Sequence, residues 1–364
     1  MVRPIRPAVA LLAVALMSVV VRSDDPVSSS VTFNREIVRI FQRKCLQCHG
    51  SGSVAMSLGT YRDARPWSRA IREELVEQRM PPWRAAPGYT AIANDAGLTA
   101  REMAMILTWV DGGLPKGEDR DLPREAGKHH PSAPEPDRRV ELPAQRIPPD
   151  EEYVLRRLIV DTGTSEPRNL RRVEIVPGNR RILRAAVVSI APAGTSGAAR
   201  WVGAWTPWQD RFDTPGSSAF LMPAGAKLLV ELHYRGREVE MEDRSTISMF
   251  FGPESSEVAD EVDIQMSGAR GASTLARAAR VWAIVPQVSA EKPPDEASLE
   301  VTARGPDGRI NVLLWIPKFE HQWPTPYLLR DVVDLAAGTT IAVTTRGIEP
   351  SRAQPSLVRL LTHR

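Results

Sequence analysis

One short stretch constrains this chain more than any other: Cys45-Leu46-Gln47-Cys48-His49, which uses both cysteines of a 364-residue sequence. Two thiols three positions apart, followed at once by an imidazole, have the spacing of C-x-x-C-H haem attachment. The thiols can reach the two vinyl groups on one porphyrin edge, and the histidine then falls under the iron as an axial ligand. Half of a tetrahedral zinc site is a competing reading, but it wants a second ligand pair at similar spacing. No further cysteine exists, and the next histidines are His129 and His130. A thioredoxin-like dithiol, the third reading, belongs beside a βαβ pattern and does not require the histidine. The motif therefore predicts one covalent haem c per chain.

The N-terminus sets the compartment. Arg3 and Arg6 precede an apolar run from Ala8 to Val21, which Arg22-Ser23-Asp24-Asp25 ends. A basic start, a short apolar core and a small residue before a polar stretch read as a secretory signal over residues 1–23. An uncleaved anchor is the alternative, although the run is short for a span of about 20 residues. No later run is long and apolar enough to cross a membrane, so no stable span is expected after cleavage. The expected location is periplasmic or secreted, consistent with haem attachment after export. With both cysteines in the motif, no disulfide framework is expected. A net charge of +3, with 25% charged residues, is too small and scattered to predict nucleic-acid binding.

Beyond a polar lead, Phe33 to Phe41 reads as a helix, with Asn34 as its cap, Glu36 in its first turn, and Ile37, Ile40 and Phe41 on one face. Thr60 to Arg79 reads as a second helical stretch, with Trp67, Ile71 and Leu75 at four-residue intervals. It ends in Met80-Pro81-Pro82-Trp83. Pro81 ends the helix and presents Met80 from a stiff turn, so Met80 is the predicted sixth ligand of a His49/Met80 haem. The alternative for Met80 is a core methionine packed on aromatic rings, and Met56, Met103 and Met105 are the competing ligands. Thr99-Ala100-Arg101-Glu102 is a capping box, and Met103, Ile106, Leu107 and Val110 form the stripe of the helix it opens. Residues 31–116 thus resemble a small class I cytochrome c.

Residues 117–150 are rich in proline and charge and read as a linker. His129-His130 within it reads as a solvated pair rather than a metal site. From Tyr153 the helical period gives way to short apolar or alternating runs: Val173–Val176, Lys227–Tyr234, Thr246–Phe251, Ala278–Val285, Leu299–Thr302, Ile310–Trp315 and Thr340–Thr345. Their spacing predicts two antiparallel, jelly-roll-like β-sandwiches, 151–253 and 254–364, with one large sandwich as the alternative. The expected fold class is multidomain: a small all-α haem domain followed by tandem all-β sandwiches.

Several stretches in order, Ala64-Arg65-Pro66-Trp67, Met80-Pro81-Pro82-Trp83, Val173 to Arg180, Leu229 to Tyr234, and Pro306-Asp307-Gly308-Arg309 leading to Trp323, carry a resemblance. The chain resembles bacterial fusions of a cytochrome c to a copper type II, ascorbate-dependent monooxygenase-like pair, akin to peptidylglycine hydroxylating monooxygenase. That resemblance implies two coppers, one on three histidines and one on two histidines and a methionine. The matching positions depart from it. Arg184-Ala185 stands where the family has adjacent histidines, and Gln287 and Ser289 stand where it has His-x-His. Met266 is the last methionine, and His321 and His363 are the remaining imidazoles of the second β unit. His233 keeps one position of the first copper site as a residual ligand or, as a packed strand histidine, none. Copper is not expected, since such sites need several soft or imidazole ligands.

The resulting expectation is a one-electron carrier whose redox partner is unidentified, with a β half that binds a small-molecule or protein ligand or docks. No catalytic residue is assigned. A copper monooxygenase fed by its own haem and a haem-based sensor are the alternatives. No G-x-S-x-G, H-E-x-x-H or phosphate-cradling loop points elsewhere. Intact-mass analysis of the exported protein should place the mature N-terminus at Asp24; a chain retaining Met1 would make residues 8–21 an anchor.

Overall fold

The computed structural model describes residues 30–53, 55–83, 85–123, 134–192, 199–288, 297–320, 323–348 and 356–363. The signal segment, His129-His130, Ser289 and His321 lie outside the described residues. Among the described residues no helix is long and apolar enough to cross a membrane.

Helices occupy the N-terminal third and are short. A π-turn, Phe33–Ile37, leads into Val38–Lys44, and the motif forms its own turn, Leu46–His49. Asn34 does not cap this helix. It is buried, and its amide donates to the carbonyls of Gly117 and Glu118 at 3.3 and 3.1 Å, tying the start of the segment to its end. The second helical stretch is broken. Pro66 falls in a 3-10 turn, Arg65–Trp67, between Tyr61–Ala64 and Ser68–Val76. That turn rotates Trp67 outward to 44% exposure, while Ile71 and Leu75 stay buried. The capping box forms as its sequence predicts: Glu102 N–H donates to Thr99 Oγ1 at 3.2 Å and Thr99 N–H to Glu102 Oε2 at 2.9 Å. The helix it opens, Ala100–Asp111, is the longest, at 12 residues. It buries Ile106 and Trp109 in a cluster with Phe33, Ile37 and Phe41.

The rest is antiparallel sheet, with a single parallel pair among the described residues. A six-stranded sheet runs Arg138–Glu141, Thr246–Gly252, Arg168–Val176, Ser218–Met222, Glu257–Val258, with Arg211–Asp213 also on the third strand. It packs on a four-stranded sheet of Val154–Asp161, Lys227–Tyr234, Leu183–Ile190 and Arg200–Trp205. An eight-stranded sheet follows, ordered from Ile310–Ile316 through Ser298–Arg304, Thr340–Arg346, Arg270–Thr274, Asp260–Ser267, Leu357–His363 and Ala279–Gln287 to Tyr327–Leu335. It doubles over at the hairpin between Ser267 and Arg270 and encloses its own core of Leu299, Val301, Ile341, Val343, Val358 and Leu360. All seven runs read as β in the sequence coincide with strands, with Ala278 one residue short of its strand.

The expected fold class is corrected on two counts. The molecule is mostly sheet, and the helical segment is not a separate all-α domain. After Pro82 the chain leaves the helices and crosses the open mouth of the folded eight-stranded sheet. Ala86 N–H donates to Trp315 O at 2.8 Å on one edge strand; Ala93 N–H donates to Leu328 O at 2.7 Å, and Arg330 N–H to Ala91 O at 2.8 Å, on the other. Ile92 bridges to Leu329 and joins the enclosed core, with Trp83 and Ala85 packed beside it. The strap covers two edges that would otherwise expose unpaired backbone groups.

The two β units also share a core. Ala279–Gln287 is buried on both faces: Val281 and Ile284 face the second cluster, while Trp282, Ala283 and Val285 face the first. A continuous apolar run, rather than alternation, is the sequence mark of such a strand. The segment read as linker contributes as well, since Arg138–Glu141 pairs with Thr246–Met249 and Gln145–Ile147 with Met241–Asp243.

Asn94 locks the strap. Its amide donates to Gln209 Oε1 at 2.7 Å and Pro326 O at 2.8 Å, and its carbonyl accepts from Leu328 N–H at 2.9 Å. Stranding these partners costs about 1–3 kcal/mol, so Asn94→Ala should lower the unfolding free energy by that amount in urea titration while leaving the far-ultraviolet spectrum unchanged.

Candidate functional site

The Cys45–His49 turn is built by local bonds. Cys45 N–H continues the preceding helix to Phe41 O at 2.8 Å, and His49 N–H closes on Cys45 O at 2.8 Å. Positions i, i+3 and i+4 of a helical turn share a face, so Cys45, Cys48 and His49 all line one cavity. Gly50 allows the chain to turn away: a Cβ there would stand 2.7 Å from Leu46 O. The loop folds back, with Leu58 N–H donating to His49 O at 2.9 Å, and brings the carbonyl of Met56 to 3.0 Å from His49 Nδ1. That contact fixes the ring orientation and leaves Nε2 as the nitrogen that can meet an occupant, the arrangement seen behind metal-bound imidazoles generally. Burial holds the His49 pKa below its ordinary value, which favours the neutral ring a ligand must be. Burial also pushes both thiols up to about 12.

The cavity is partly open to solvent. Its inner wall is apolar: Phe41, Leu58, Ile71, Leu75, Leu98 and Ile106. Met80 lines it from the turn before Pro81 and is 41% exposed. Of the competing methionines, Met56 also reaches the cavity, while Met103 and Met105 pack in the helical cluster. The structure thus brings Cys45, Cys48, His49 and Met80 together.

Four lining residues come from the β half: Arg184, Trp208, Arg235 and Trp323. Trp208 and Trp323 pack ring to ring at 5.1 Å, and the Arg184 guanidinium lies 5.6 Å from the Trp323 centroid. Arg184 sits at a β-bulge: Leu183 pairs with Tyr234 and Ala185 with His233, leaving Arg184 as the extra residue. Bulges re-aim a side chain, and here Leu183 and Ala185 are fully buried in the sheet while Arg184 reaches the cavity. Burial, with the charge of Arg235 second, lowers its pKa to about 10. Sequence reasoning registered Arg184 only as a substitution for a histidine. The available signal was an arginine set inside the apolar strand Leu183-Arg184-Ala185-Ala186-Val187-Val188.

His233 lies elsewhere, 6% exposed, with Nδ1 2.9 Å from the Tyr153 hydroxyl. Burial raises the Tyr153 hydroxyl to about 12. Beside His233 stand Arg184 and Ala185, and among the described residues no group of three or more His, Cys, Asp or Glu is placed to hold a metal ion. His363 ends the last strand and meets Ser218 Oγ at 2.6 Å through Nδ1. The Val173–Arg180 stretch also has a structural role. Asn179 N–H donates to Asp243 Oδ1 at 2.6 Å, Tyr234 donates its hydroxyl to Asp243 Oδ2 at 2.8 Å, and a Cβ at Gly178 would meet Arg244 backbone at 2.5 Å.

No family model and no curated protein matches this chain. Among solved structures, a Bacteroides ovatus protein assigned as an alpha-L-fucosidase aligns at 12% identity over 74% of this chain, with a TM-score of 0.19. The alignment spans half the length of that protein, and at that score nothing about fold or chemistry is drawn from it.

The Tyr153–His233 contact is worth about 1 kcal/mol by the usual net value of a hydrogen bond. Tyr153→Phe should therefore reduce stability by that amount and leave the metal content of the purified protein unchanged.

Proposed function

We propose that this protein is an exported mono-haem c-type electron carrier. The observation that carries the reading is the convergence of Cys45, Cys48, His49 and Met80 on one apolar cavity, with His49 Nδ1 held by Met56 O. The residues fit a haem: two thiols at one rim, an oriented neutral imidazole, a thioether and a dry aliphatic wall. Cys45 and Cys48 would each add S–H across a vinyl group, forming one C–S bond and delivering the proton to the neighbouring carbon, so attachment needs no oxidant. His49 and Met80 would supply the protein ligands of the haem iron. A bound haem supplies a one-electron couple, accepting one electron from a donor protein and giving it to an acceptor protein.

The chain's own residues do the rest. Ile71, Leu75 and Ile106 exclude water, and the Met56 carbonyl steadies the proximal ring. As a haem ligand, the Met80 thioether would favour the reduced state and compete with added gases. The resemblance to cytochrome–monooxygenase fusions supports an exported, haem-bearing chain. The altered ligand positions around Arg184 and Gln287 speak against the copper enzyme.

The test is metal and haem analysis of the full-length protein produced with haem-attachment machinery. One iron per chain, haem retained through acid–acetone extraction, and loss of that haem in Cys45→Ala/Cys48→Ala are expected. Met80→Ala should keep the covalent haem but bind carbon monoxide readily in the ferrous state, where the parent protein resists it. A parent protein without covalent haem would overturn the reading. Two coppers per chain that survive chelation would favour the monooxygenase instead.

A further inference from the structure

The cavity has chemically distinct walls. Cys45, Cys48 and His49 come from one helical turn and the aliphatic residues from the helices around it, but the wall given by the β half offers cationic and neutral donors. Arg184 and Arg235 bring two guanidiniums, and Trp208 brings an indole N–H that is buried and meets no acceptor among the described residues. Glu74, the carboxylate among the lining residues, is ion-paired with Arg79 at 3.1 Å. Arg235 also reaches Glu152 at 3.2 Å, but Glu152 is 86% exposed, where such a pair is weak. Arg184 lies in the fields of Glu152 and Glu320 as well as of Arg235 and Arg237. The cavity lining still carries more cations than anions, Lys44, Arg184 and Arg235 against Glu74, an excess that an anion in the cavity would offset. The burial that depresses the Arg184 pKa is a cost on its charged form.

We infer that the β half forms the anion-binding wall of the haem site, with Arg184 and Arg235 facing the two propionate carboxylates of a haem anchored at Cys45 and Cys48. This rests on the haem reading above and goes beyond it: the β-sandwich unit becomes part of the cofactor site. The guanidinium fork suits a carboxylate, and the Trp208 N–H adds a neutral donor. The bulge at Arg184 serves this purpose directly, since it turns one residue of a buried strand out of the sheet. Arg184 and Arg235 act as positioning and electrostatic residues. Positive charge beside the haem favours the added electron, so it raises the reduction potential.

Spectroelectrochemical titration of the haem-loaded, full-length protein tests this. Arg184→Met and Arg235→Met should each keep one covalent haem per chain and shift the potential downward, and the double variant should shift it further. Arg184→Lys keeps the charge and should stay closer to the parent than Arg184→Met. Where a Met variant fails to fold, the comparison of Arg184→Lys and Arg235→Gln with the parent replaces it, with Arg235→Gln expected lower. Covalent haem with an unshifted potential in the variants that lose a charge overturns this inference and leaves the electron-carrier reading standing. Absence of covalent haem from the parent overturns both.

Discussion

The structure depends on the strap from Trp83 to Asn94. Its backbone bonds to both edge strands of the folded eight-stranded sheet, and Ile92 fills the enclosed core. Burying a side chain of that size is worth about 1.5–3 kcal/mol, and the Asn94 bonds add to it. The strap is also the continuation of the Met80 turn, and Asp95 O at its far end accepts from Lys44 Nζ at 3.2 Å, one residue before the motif. The same twelve residues therefore close the sheet and set the distance between the Cys-x-x-Cys-His turn and the β half. Cavity and sheet edge are one piece of construction.

This explains why the helices do not form a separate all-α domain. A separate domain needs its own core and few contacts across its boundary. Here the helices keep a small aromatic cluster around Phe33, Phe41 and Trp109, but their connecting segment belongs to the second β core. The two β units share Ala279–Gln287, whose opposite faces serve different clusters. Cooperative unfolding of helices and sheets together is the natural behaviour of such a layout.

What was legible in the sequence was what local chemistry determines. The capping box at Thr99 needs only four residues, and the motif turn needs five. Strands with strong apolar patterning, such as Lys227–Tyr234, declare themselves by composition. The strap did not, because Pro82 to Asn94 has neither helical nor strand period, and its partners, Val312, Trp315 and Leu328, lie more than 200 residues away. Trp67 misled for a related reason: its four-residue spacing from Ile71 assumes one helix, and Pro66 interrupts it. The pairing of Asn34 with residues near 117 likewise replaced a local cap by a tertiary bond. The candidate site was half legible. Its thiols, imidazole and thioether could be named from the sequence, but the cationic wall depends on a register irregularity at Arg184 that only strand pairing reveals.

That wall bears on what became of the copper chemistry the resemblance implies. An arginine in place of a histidine removes a ligand and adds a cation, and either change alone weakens a copper site. The bulge at Arg184 brings its side chain to the cavity. His233 remains packed against Tyr153, where it serves the sheet. A substitution that merely abolished metal binding could have been any residue that fits the strand. Here it is a long, charged residue on a bulge, 5.6 Å from the Trp323 ring centroid and on the wall of the cavity that Cys48 also lines. A side chain that the strand register alone would bury in the sheet is thereby available to the cavity between helices and sheets.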